Sequence, residues 1–453
     1  MGTSLTNYDG SIVVEPQQVV RPETVEEIQA ILRHPDRYPS PVRAMGSFHS
    51  LTPCAASPGT IVSMERFKNV VKIDTQAMTF TAQAGLQMIE ANEILREHNV
   101  QFILNIEIGN MTLGSAACCH TKDSLDGVEF GQVNSYVIGA KWVTPAGELE
   151  EASEDRTPEL LALIRASYGL AGIIFEVTFR IKPVEIVRFD YHLLDAAELT
   201  QDRISEAIAS NQTLVCWTID GTVIIQTRNQ ATELRHEWLA GSRRFAWNFL
   251  AAFVGRAIRQ HSISPDLTDV AEHIGAEIEL GFYRVLSATG GFTLRDPEKM
   301  VDYSKTPPAA RYAFTFWAFP QAEWVKNLKA YLQFADQYFK EHGFRCNMPL
   351  GSYFIRKDSH SLLSYSYDGD IISLDPIHAP SERDKAGWAQ FLRTFNEWAH
   401  QRGGIPLLNQ SPYVKKEHVV SAYGDRWKKL SEWVRSVDPT GRMVNPFFQE
   451  LLW

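Results

Sequence analysis

The chain has 453 residues, of which 44 are basic and 54 are acidic; its formal net charge is −10 and 44% of its residues are hydrophobic. This length predicts two domains, because a single hydrophobic core stops growing beyond about 250–300 residues. The negative charge argues against nucleic acid as a partner, since phosphate binding needs a clustered positive surface. We expect no signal peptide, and no apolar run reaches the roughly 18 residues of a transmembrane helix.

The first part of the chain predicts two successive α+β units. Residues 18–90 show short β/α patterns, with Thr24 as the predicted N-cap of the first helix and a short strand that ends at Gly46. Residues 100–184 form the second unit, in which apolar runs rich in β-branched residues predict strands. The two units together indicate one domain built from two subdomains.

The pattern changes at about residue 185. Long helical patterns at 321–341 and 381–402 alternate with aromatic-rich strands such as 311–319. The change indicates a second domain of helices and strands. The segment 243–259 is basic and strongly apolar, which favours a packed helix or a subunit contact, while contact with a membrane surface is the alternative.

The cysteines carry no pattern of their own. There is no Cys-x-x-Cys and no cysteine–histidine spacing of a zinc site, so we expect no metal centre. Reduced thiols and the missing signal peptide favour a cytoplasmic protein. The five cysteines are Cys54, Cys118, Cys119, Cys216 and Cys346.

Two loops of small residues carry the candidate chemistry. Gly46-Ser47-Phe48-His49-Ser50 follows a short strand, and its small residues would let backbone N–H groups approach a diphosphate. A tight turn with a surface histidine is the simpler alternative. A second such loop spans 109–120, so two loops could hold one dinucleotide from both sides. Neither loop has the Gly-x-Gly-x-x-Gly spacing of a Rossmann site.

The order of these segments resembles the vanillyl-alcohol-oxidase-type (PCMH-type) FAD-linked oxidases, nearest the sugar-lactone and alditol oxidase group. The resemblance implies an α+β fold with a two-subdomain FAD-binding domain at 1–184. It also implies an α+β cap domain with an antiparallel sheet at 185–410 and a C-terminal segment, 411–453, that returns to the first domain. The matching segments are 20–28, 46–50, 84–86, 113–116, 167–177 and 438–448.

The resemblance implies FAD as the cofactor, bonded covalently through His49 to the 8α-methyl group of the flavin. A cysteinyl bond from the Cys118-Cys119 pair is the less favoured alternative. The diphosphate would lie along 45–50, the flavin and its ribityl chain along 109–118, and the adenine beside Gly172. The residues expected to bind the cofactor are Met45, Gly46, Ser47, Phe48, His49, Ser50, Gly109, Thr112, Gly114, Ser115, Cys118, Gly172, Ile174 and Asn445.

The catalytic segments depart from the pattern of the family. The lactone and alditol oxidases carry Glu-x-Arg on a cap strand, whereas this chain keeps Arg356 but has Phe354 in the place of the glutamate. Strand alternation predicts that both residues face the substrate. Asn409 and Gln410 stand where the relatives have a polar segment that ends in lysine. The two missing charges predict a substrate less polar than a sugar alcohol.

The general base is open at this stage. His120 and Tyr365 are the leading candidates by residue type, and a structural hydrogen bond is the alternative for His120. Tyr365 is predicted to lie on a strand. Other candidates by type are Tyr367, Asp368 and Tyr413.

Taken together, these patterns predict an FAD-dependent oxidoreductase that oxidises a CH–OH group of a small molecule by hydride transfer to flavin N5. Dioxygen or another acceptor would reoxidise the flavin. Oxidative cyclisation or desaturation is the alternative chemistry, and a flavin-binding protein without catalysis is the third possibility.

Overall fold

The computed structural model describes residues 3–123, 130–210, 213–261 and 265–453. Helices and largely antiparallel sheets make the α+β fold that the sequence predicts. In the described part of the chain, no helix has the length and apolarity needed to cross a membrane.

A small parallel sheet forms the first subdomain. Its strand order is Gln18–Val20, Thr60–Ser63, Val42–Met45. Helix Val25–Arg33 packs on this sheet through Ile28, Ile31 and Leu32. As predicted, the side chain of Thr24 caps this helix by accepting the N–H of Glu27 at 3.2 Å.

An antiparallel sheet forms the second subdomain. Trp142, Phe80 and Phe179 are buried in its core. Its helices are Met88–Glu97, Leu113–Cys118 and Pro158–Ile164. The strand order is Leu149–Ser153, Val137–Val143, Ile173–Pro183, Thr79–Gln83, Val70–Asp74, and Val100–Phe102 also pairs with Ile173–Pro183.

An eight-stranded antiparallel sheet dominates the residues after 185. Its helices are Gln201–Ser210, Glu237–Phe245, Ala252–His261, Pro265–Ala288, Trp324–His342 and Lys385–His400. The strand order is Phe292–Arg295, Ile186–Asp195, Thr222–Ala231, Leu214–Ile219, Leu350–Ile355, Ile371–Leu374, Trp317–Pro320, Ile405–Pro406. Two short pairs lie apart from the sheets: Leu5–Thr6 with Val13–Val14, and Ala313–Phe314 with Ile377–His378.

Two predicted strands differ from the structure. The segment 311–319 is interrupted, so that Ala313–Phe314 and Trp317–Pro320 belong to different sheets. Residues 365–368 form turns rather than the predicted strand. The Tyr365 hydroxyl instead donates to the carbonyl of Thr121 at 2.6 Å, a tertiary contact that no local pattern encodes.

The C-terminal segment packs on the first subdomain. It forms helices Lys416–Tyr423, Asp425–Val437 and Pro446–Leu452. The Arg442 guanidinium donates to the carbonyls of Ile31 at 2.7 Å and Leu32 at 3.2 Å. Met443 is buried in the same core as helix Val25–Arg33.

The segment 243–259 is not one continuous helix. A π-helical turn, Ala246–Ala251, joins helices Glu237–Phe245 and Ala252–His261. One face packs inward through Trp247, which is 3% exposed, while Phe245, Leu250 and Phe253 are exposed. Contact of this face with a membrane surface stays a prediction.

Candidate active site

A cleft with about 1700 Å³ of free space lies where the two small subdomains meet the large antiparallel sheet. Each sheet contributes to its wall. Met45 comes from the parallel sheet, Ile174 from the second subdomain, and Trp217 and Tyr353 from the large sheet.

The two small-residue loops meet at one wall of this cleft. A Cβ atom on Gly46 would lie 2.3 Å from Oγ1 of Thr112 and 3.0 Å from Oγ of Ser115, so only glycine permits this approach. The Ser47 hydroxyl donates to the carbonyl of Asn110 and ties the loops together. Phe48 adopts a φ of 49°, a left-handed conformation that is strained for a bulky residue and that clusters at functional sites.

Two further glycines hold the wall open. A Cβ atom on Gly114 would lie 2.9 Å from Cβ of Ala84, and one on Gly172 would lie 2.0 Å from the carbonyl oxygen of Val143. The residues expected to bind a cofactor that line the cleft are Met45, Gly46, Ser47, Phe48, His49, Ser50, Thr112, Gly114, Ser115, Cys118, Gly172 and Ile174.

Gly109 and Asn445 do not line the cleft. The Gly109 N–H donates to the carbonyl of Val301 at 2.9 Å, and a Cβ atom there would lie 3.0 Å from Cβ of Ile89. Asn445 caps helix Pro446–Leu452, and its amide donates to the carbonyls of Pro53 at 2.9 Å and Ala56 at 2.7 Å. Direct cofactor contact is therefore not assigned to either residue, because both are engaged in packing and capping that support the loops.

His49 lies half-buried in the cleft wall between two tyrosines. Its ring stacks on Tyr8 with centroids 4.2 Å apart and meets the edge of Tyr303 at 5.5 Å. Burial lowers the pKa of His49 to about 4, so the imidazole is neutral at neutral pH. Its Nε2 atom is buried without a hydrogen-bond partner in the described part of the chain. The ring therefore offers a neutral nitrogen to a bound group.

Arg43 supplies positive charge beneath the same wall. The guanidinium is 2% exposed and donates to the carbonyls of Cys54, Gly169, Met443 and Tyr168. Within the residues that the structure describes, Arg43 forms no ion pair with a carboxylate. A buried charge is costly unless it is paired, so an anion bound in the cleft would be stabilised here.

His120 does not face the cleft. Its ring nitrogens lie 2.8 Å from the Tyr168 hydroxyl and 2.8 Å from Oγ of Ser361. Burial lowers its pKa to about 3, so the imidazole is neutral at neutral pH and has one N–H donor and one acceptor nitrogen. The geometry fits the structural hydrogen bond that the sequence left as the alternative, and the proposed role as base is withdrawn.

The sealed position of His120 predicts a pH dependence of stability. Because the folded state lowers its pKa, this histidine contributes stability above an unfolded pKa of about 6.5, and the contribution is lost as pH falls toward 3. Between pH 8 and pH 5, the unfolding free energy of the wild type should fall by about 2 kcal/mol more than that of His120→Gln. Urea unfolding at both pH values measures this difference, and the control is a substitution of a half-exposed histidine, His342→Gln. An unchanged decrease in His120→Gln would contradict the assignment.

Arg356 and Tyr365 also lie away from the cleft. Strand Leu350–Ile355 ends before Arg356, whose side chain is exposed, and Phe354 is buried in the core on the other side of the sheet. The side chain of this strand that reaches the cleft is Tyr353. The predicted face was therefore wrong, since alternation gives two faces and does not say which one meets the site. Tyr365 is fully buried outside the cleft, so its role as base is withdrawn as well.

Asn409 and Gln410 line the cleft as expected. The Asn409 amide donates to the carbonyl of His120 at 3.2 Å, and its own backbone carbonyl accepts the N–H of Leu51 at 3.0 Å. Among the described residues, the side-chain amide oxygens of Asn409 and Gln410 are buried without a donor. Both can accept a hydrogen bond from a bound molecule.

A buried ion pair in the cleft was missed by the sequence interpretation. Lys122 pairs with Asp375, and their side chains are 11% and 1% exposed. Glu107 lines the cleft nearby. The signals available were Lys122, two residues after the second small-residue loop, and Asp375, directly after the buried strand Ile371–Leu374, but nothing local joins them.

Aromatic rings form the rest of the wall around this ion pair. The hydroxyls of Tyr303 and Tyr312 are 2.9 Å apart, and the Trp247 indole donates to Tyr312. The Trp217 and Trp247 rings pack with centroids 4.3 Å apart. The cleft thus has a wall of small residues and glycines and an opposite wall of large aromatic side chains.

All five cysteines lie in the described part of the chain, and each is a free thiol. Cys54, Cys118 and Cys119 line the cleft, with the sulfur atoms of the last two 3.9 Å apart. A cytoplasmic location stays a prediction from sequence.

Comparisons with known proteins agree with this site. The profile of the family described as "FAD binding domain" matches residues 16–153. The L-gulonolactone oxidase of Scyliorhinus torazame is 21% identical over 455 residues, covering 99% of this chain and 98% of that protein. The D-arabinono-1,4-lactone oxidase of Candida albicans is 24% identical over 204 residues, covering 42% of this chain and 36% of that protein. The solved structure of a solvent-stable cholesterol oxidase shares the fold at a TM-score of 0.74 and 15% identity, covering 100% of this chain and 98% of that chain.

The match over residues 16–153 shows an FAD-binding domain, and the whole chain shares its fold with the cholesterol oxidase. Together with the lactone oxidase relatives, these findings support the class of FAD-linked oxidases and dehydrogenases, near the sugar-lactone oxidases. The residues present fit the cofactor, because Gly46 lets the two loops meet closely, Arg43 offers charge to a diphosphate, and Nε2 of His49 has no hydrogen-bond partner among the described residues.

Proposed function

We propose that the chain holds FAD covalently through His49 and oxidises a CH–OH group of a substrate less polar than a sugar alcohol. The observation that carries the proposal is the neutral imidazole of His49, half-buried in the wall of the cleft with Nε2 free of hydrogen bonds to the described residues. A neutral nitrogen keeps the lone pair that a bond to the 8α-methyl carbon needs, whereas a protonated ring has none.

The rest of the cleft supports one orientation of the cofactor. Residues 45–50 and Arg43 would hold the diphosphate, and the loop around Thr112 would follow the ribityl chain. Gly172 and Ile174 would lie against the adenine. When bound, the flavin supplies an acceptor for a hydride from the substrate carbon, and dioxygen or another acceptor takes up those electrons afterwards.

The aromatic wall supports the substrate class, for a reason other than the one inferred from sequence. Phe354 does not face the cleft, but Trp217, Trp247, Phe314 and Tyr353 do. Burial of apolar area against such rings stabilises an apolar ligand by about 25 cal/mol per Å². The charges of Lys122 and Asp375 are paired with each other, so they do not replace the two charges that a polyol-binding site would need.

An anaerobic screen of alcohols tests this function. Benzyl alcohol, cyclohexanol and octanol serve as apolar probes, and xylitol and L-gulono-1,4-lactone as polar ones. We expect at least one apolar alcohol to bleach the flavin absorbance at least tenfold faster than either polar probe. Faster bleaching by the polar probes would contradict the substrate class. No bleaching by any alcohol would contradict CH–OH oxidation and favour oxidative cyclisation or desaturation.

A further inference from the structure

The ion pair between Lys122 and Asp375 is unusual in its surroundings. The Lys122 ammonium lies 4.4 Å from the ring centroid of Phe314, 4.9 Å from that of Phe316 and 5.1 Å from that of Tyr353. The lysine is therefore enclosed by three rings and one carboxylate. Burial lowers the pKa of Lys122, while the carboxylate of Asp375 and cation–π attraction to the rings oppose this effect.

Asp375 is only partly satisfied by this arrangement. Its Oδ2 atom accepts from Lys122, while Oδ1 is buried with no hydrogen-bond partner within 3.5 Å among the described residues; the Ser373 hydroxyl lies near enough to the carboxylate to lower its pKa. Its backbone is bonded in both directions to Gly351, with the Gly351 N–H at 3.0 Å and the Gly351 carbonyl at 2.8 Å. The carboxylate is thus held firmly at the cleft wall and keeps one acceptor atom free.

Stability does not account for such a pair. Removing two charges from water costs several kcal/mol per ion, and apolar residues of the same volume are often neutral or stabilising in its place. The unpartnered Oδ1 atom adds a further cost of about 1–3 kcal/mol. A position inside the cleft gives this cost a functional explanation, because a substrate hydroxyl could satisfy that atom.

Other candidates for the general base lie outside the cleft or have another role. His120 and Tyr365 lie outside the cleft, and His49 is committed to the cofactor in the proposed function. Among the described residues, Glu107 is the other carboxyl that lines the cleft and could compete.

We propose that Asp375, oriented and charge-balanced by Lys122, takes the proton from the substrate hydroxyl. This inference rests on the proposed function. As the O–H bond breaks, its proton goes to Oδ1 of Asp375, and its electron pair forms the C=O double bond. The C–H electron pair leaves with hydrogen as hydride for the flavin of the bound FAD. The alcohol becomes a carbonyl compound, and the proton stays on Asp375 until it passes to solvent.

The acid–base properties of the pair agree with this role. Burial raises the pKa of Asp375 to about 6, against the opposing effect of Lys122. The nearby phenols of Tyr353 and Tyr365 do not titrate in this range, because burial raises their pKa well above 10. Asp123, next to Lys122, is paired with Arg228 and with Lys299. A base with a pKa close to the working pH is the effective kind.

The pair also restricts the substrate. A carboxylate or phosphate beside the reacting carbon would be repelled by Asp375 in a buried site. The geometry therefore favours an uncharged alcohol whose hydroxyl reaches Oδ1, with an apolar body against the aromatic wall.

The test uses the flavin-loaded protein and the alcohol probe that bleaches it fastest. We expect Asp375→Asn to keep its covalent flavin and to slow anaerobic bleaching by about 100-fold, the size of a general-base contribution. The control is Asp336→Asn, which removes a carboxylate that is 62% exposed and outside the cleft. Glu107→Gln tests the competing carboxyl and should retain most of the rate.

Two further measurements separate proton transfer from a structural role. In the wild type, the bleaching rate should fall as the pH drops below about 6, and Lys122→Met should move this fall to higher pH, because loss of the ammonium raises the pKa of Asp375. Infrared difference spectra of the protein without alcohol should show a protonated carboxyl band that is lost above about pH 6 and is absent from Asp375→Asn.

Several outcomes would overturn the inference while leaving the proposed function in place. The first is a bleaching rate in Asp375→Asn equal to that of the wild type, and the second is a loss of rate in Glu107→Gln but not in Asp375→Asn. The others are a pH profile in Lys122→Met that matches the wild type, and the absence of a carboxyl band that depends on Asp375. If no alcohol bleaches the wild type, the proposed function fails and the role of Asp375 as a base fails with it. Should Asp375→Asn not fold, Lys122→Met and its pH profile decide the question.

Discussion

His49→Ala is expected to yield a protein whose flavin is released completely by acid precipitation, whereas the wild-type protein keeps its colour in the denatured polypeptide. The reason is that Nε2 of His49 is the unpartnered nitrogen in the cleft wall and is neutral at working pH. The change in the covalently bound fraction, from nearly all to none, is measured by the absorbance of the washed precipitate. Added FAD should still bind, because the glycines and Arg43 remain.

A matched control for this substitution is His120→Ala. It removes a fully buried histidine that does not line the cleft, so the covalent flavin should be retained. A denaturation-resistant flavin in His49→Ala would show that the bond is elsewhere. Cys118→Ser would then be the next variant, since its thiol lines the same cleft.

Gly172→Ala is expected to lower the free energy of unfolding by about 3 kcal/mol or more and to weaken FAD binding. The new Cβ atom would lie 2.0 Å from the carbonyl oxygen of Val143, which is backbone and cannot rotate away. The residue also has a φ of +129°, which side-chain-bearing residues rarely adopt. Urea unfolding of the protein without cofactor and FAD titration measure the two effects.

Gly221→Ala separates the effect of the positive φ from the effect of close packing against backbone. Gly221 has a φ of +79°, but nothing lies within 4 Å of the Cβ position, so this variant should lose only about 1 kcal/mol from backbone conformation. FAD binding should be unaffected, because Gly221 does not line the cleft. Equal stability of the two variants would contradict the close packing of Gly172 against Val143.

The half of the site that holds the cofactor could be predicted from sequence because its signals are local. The short strand before Gly46 and the small residues around Gly114 are each encoded within a few positions. Glycine is required wherever two backbones approach closely, so its place in the sequence reports on tertiary contact. Gly109 shows the limit of this signal: its glycine is also required by close packing, but against Ile89 and Met300 rather than in the cleft.

The half of the site that meets the substrate could not be predicted in the same way. The inference about Arg356 failed because strand alternation defines two faces without saying which one meets the cleft, and the sheet turned Tyr353 inward instead. The prediction of Tyr365 as a base on a strand failed because residues 365–368 form turns, and the Tyr365 hydroxyl contacts Thr121, 244 positions away.

By itself, the sequence determined the α+β class and the two loops of small residues that line the cleft, with His49 in the first of them, because turns, caps and glycine requirements depend on neighbouring residues. Only the tertiary structure decided which polar groups face the substrate. Lys122 and Asp375 are 253 positions apart and meet because the large sheet brings the end of strand Ile371–Leu374 over the second small-residue loop. Their pairing depends on burial and topology, which no local pattern of residues encodes.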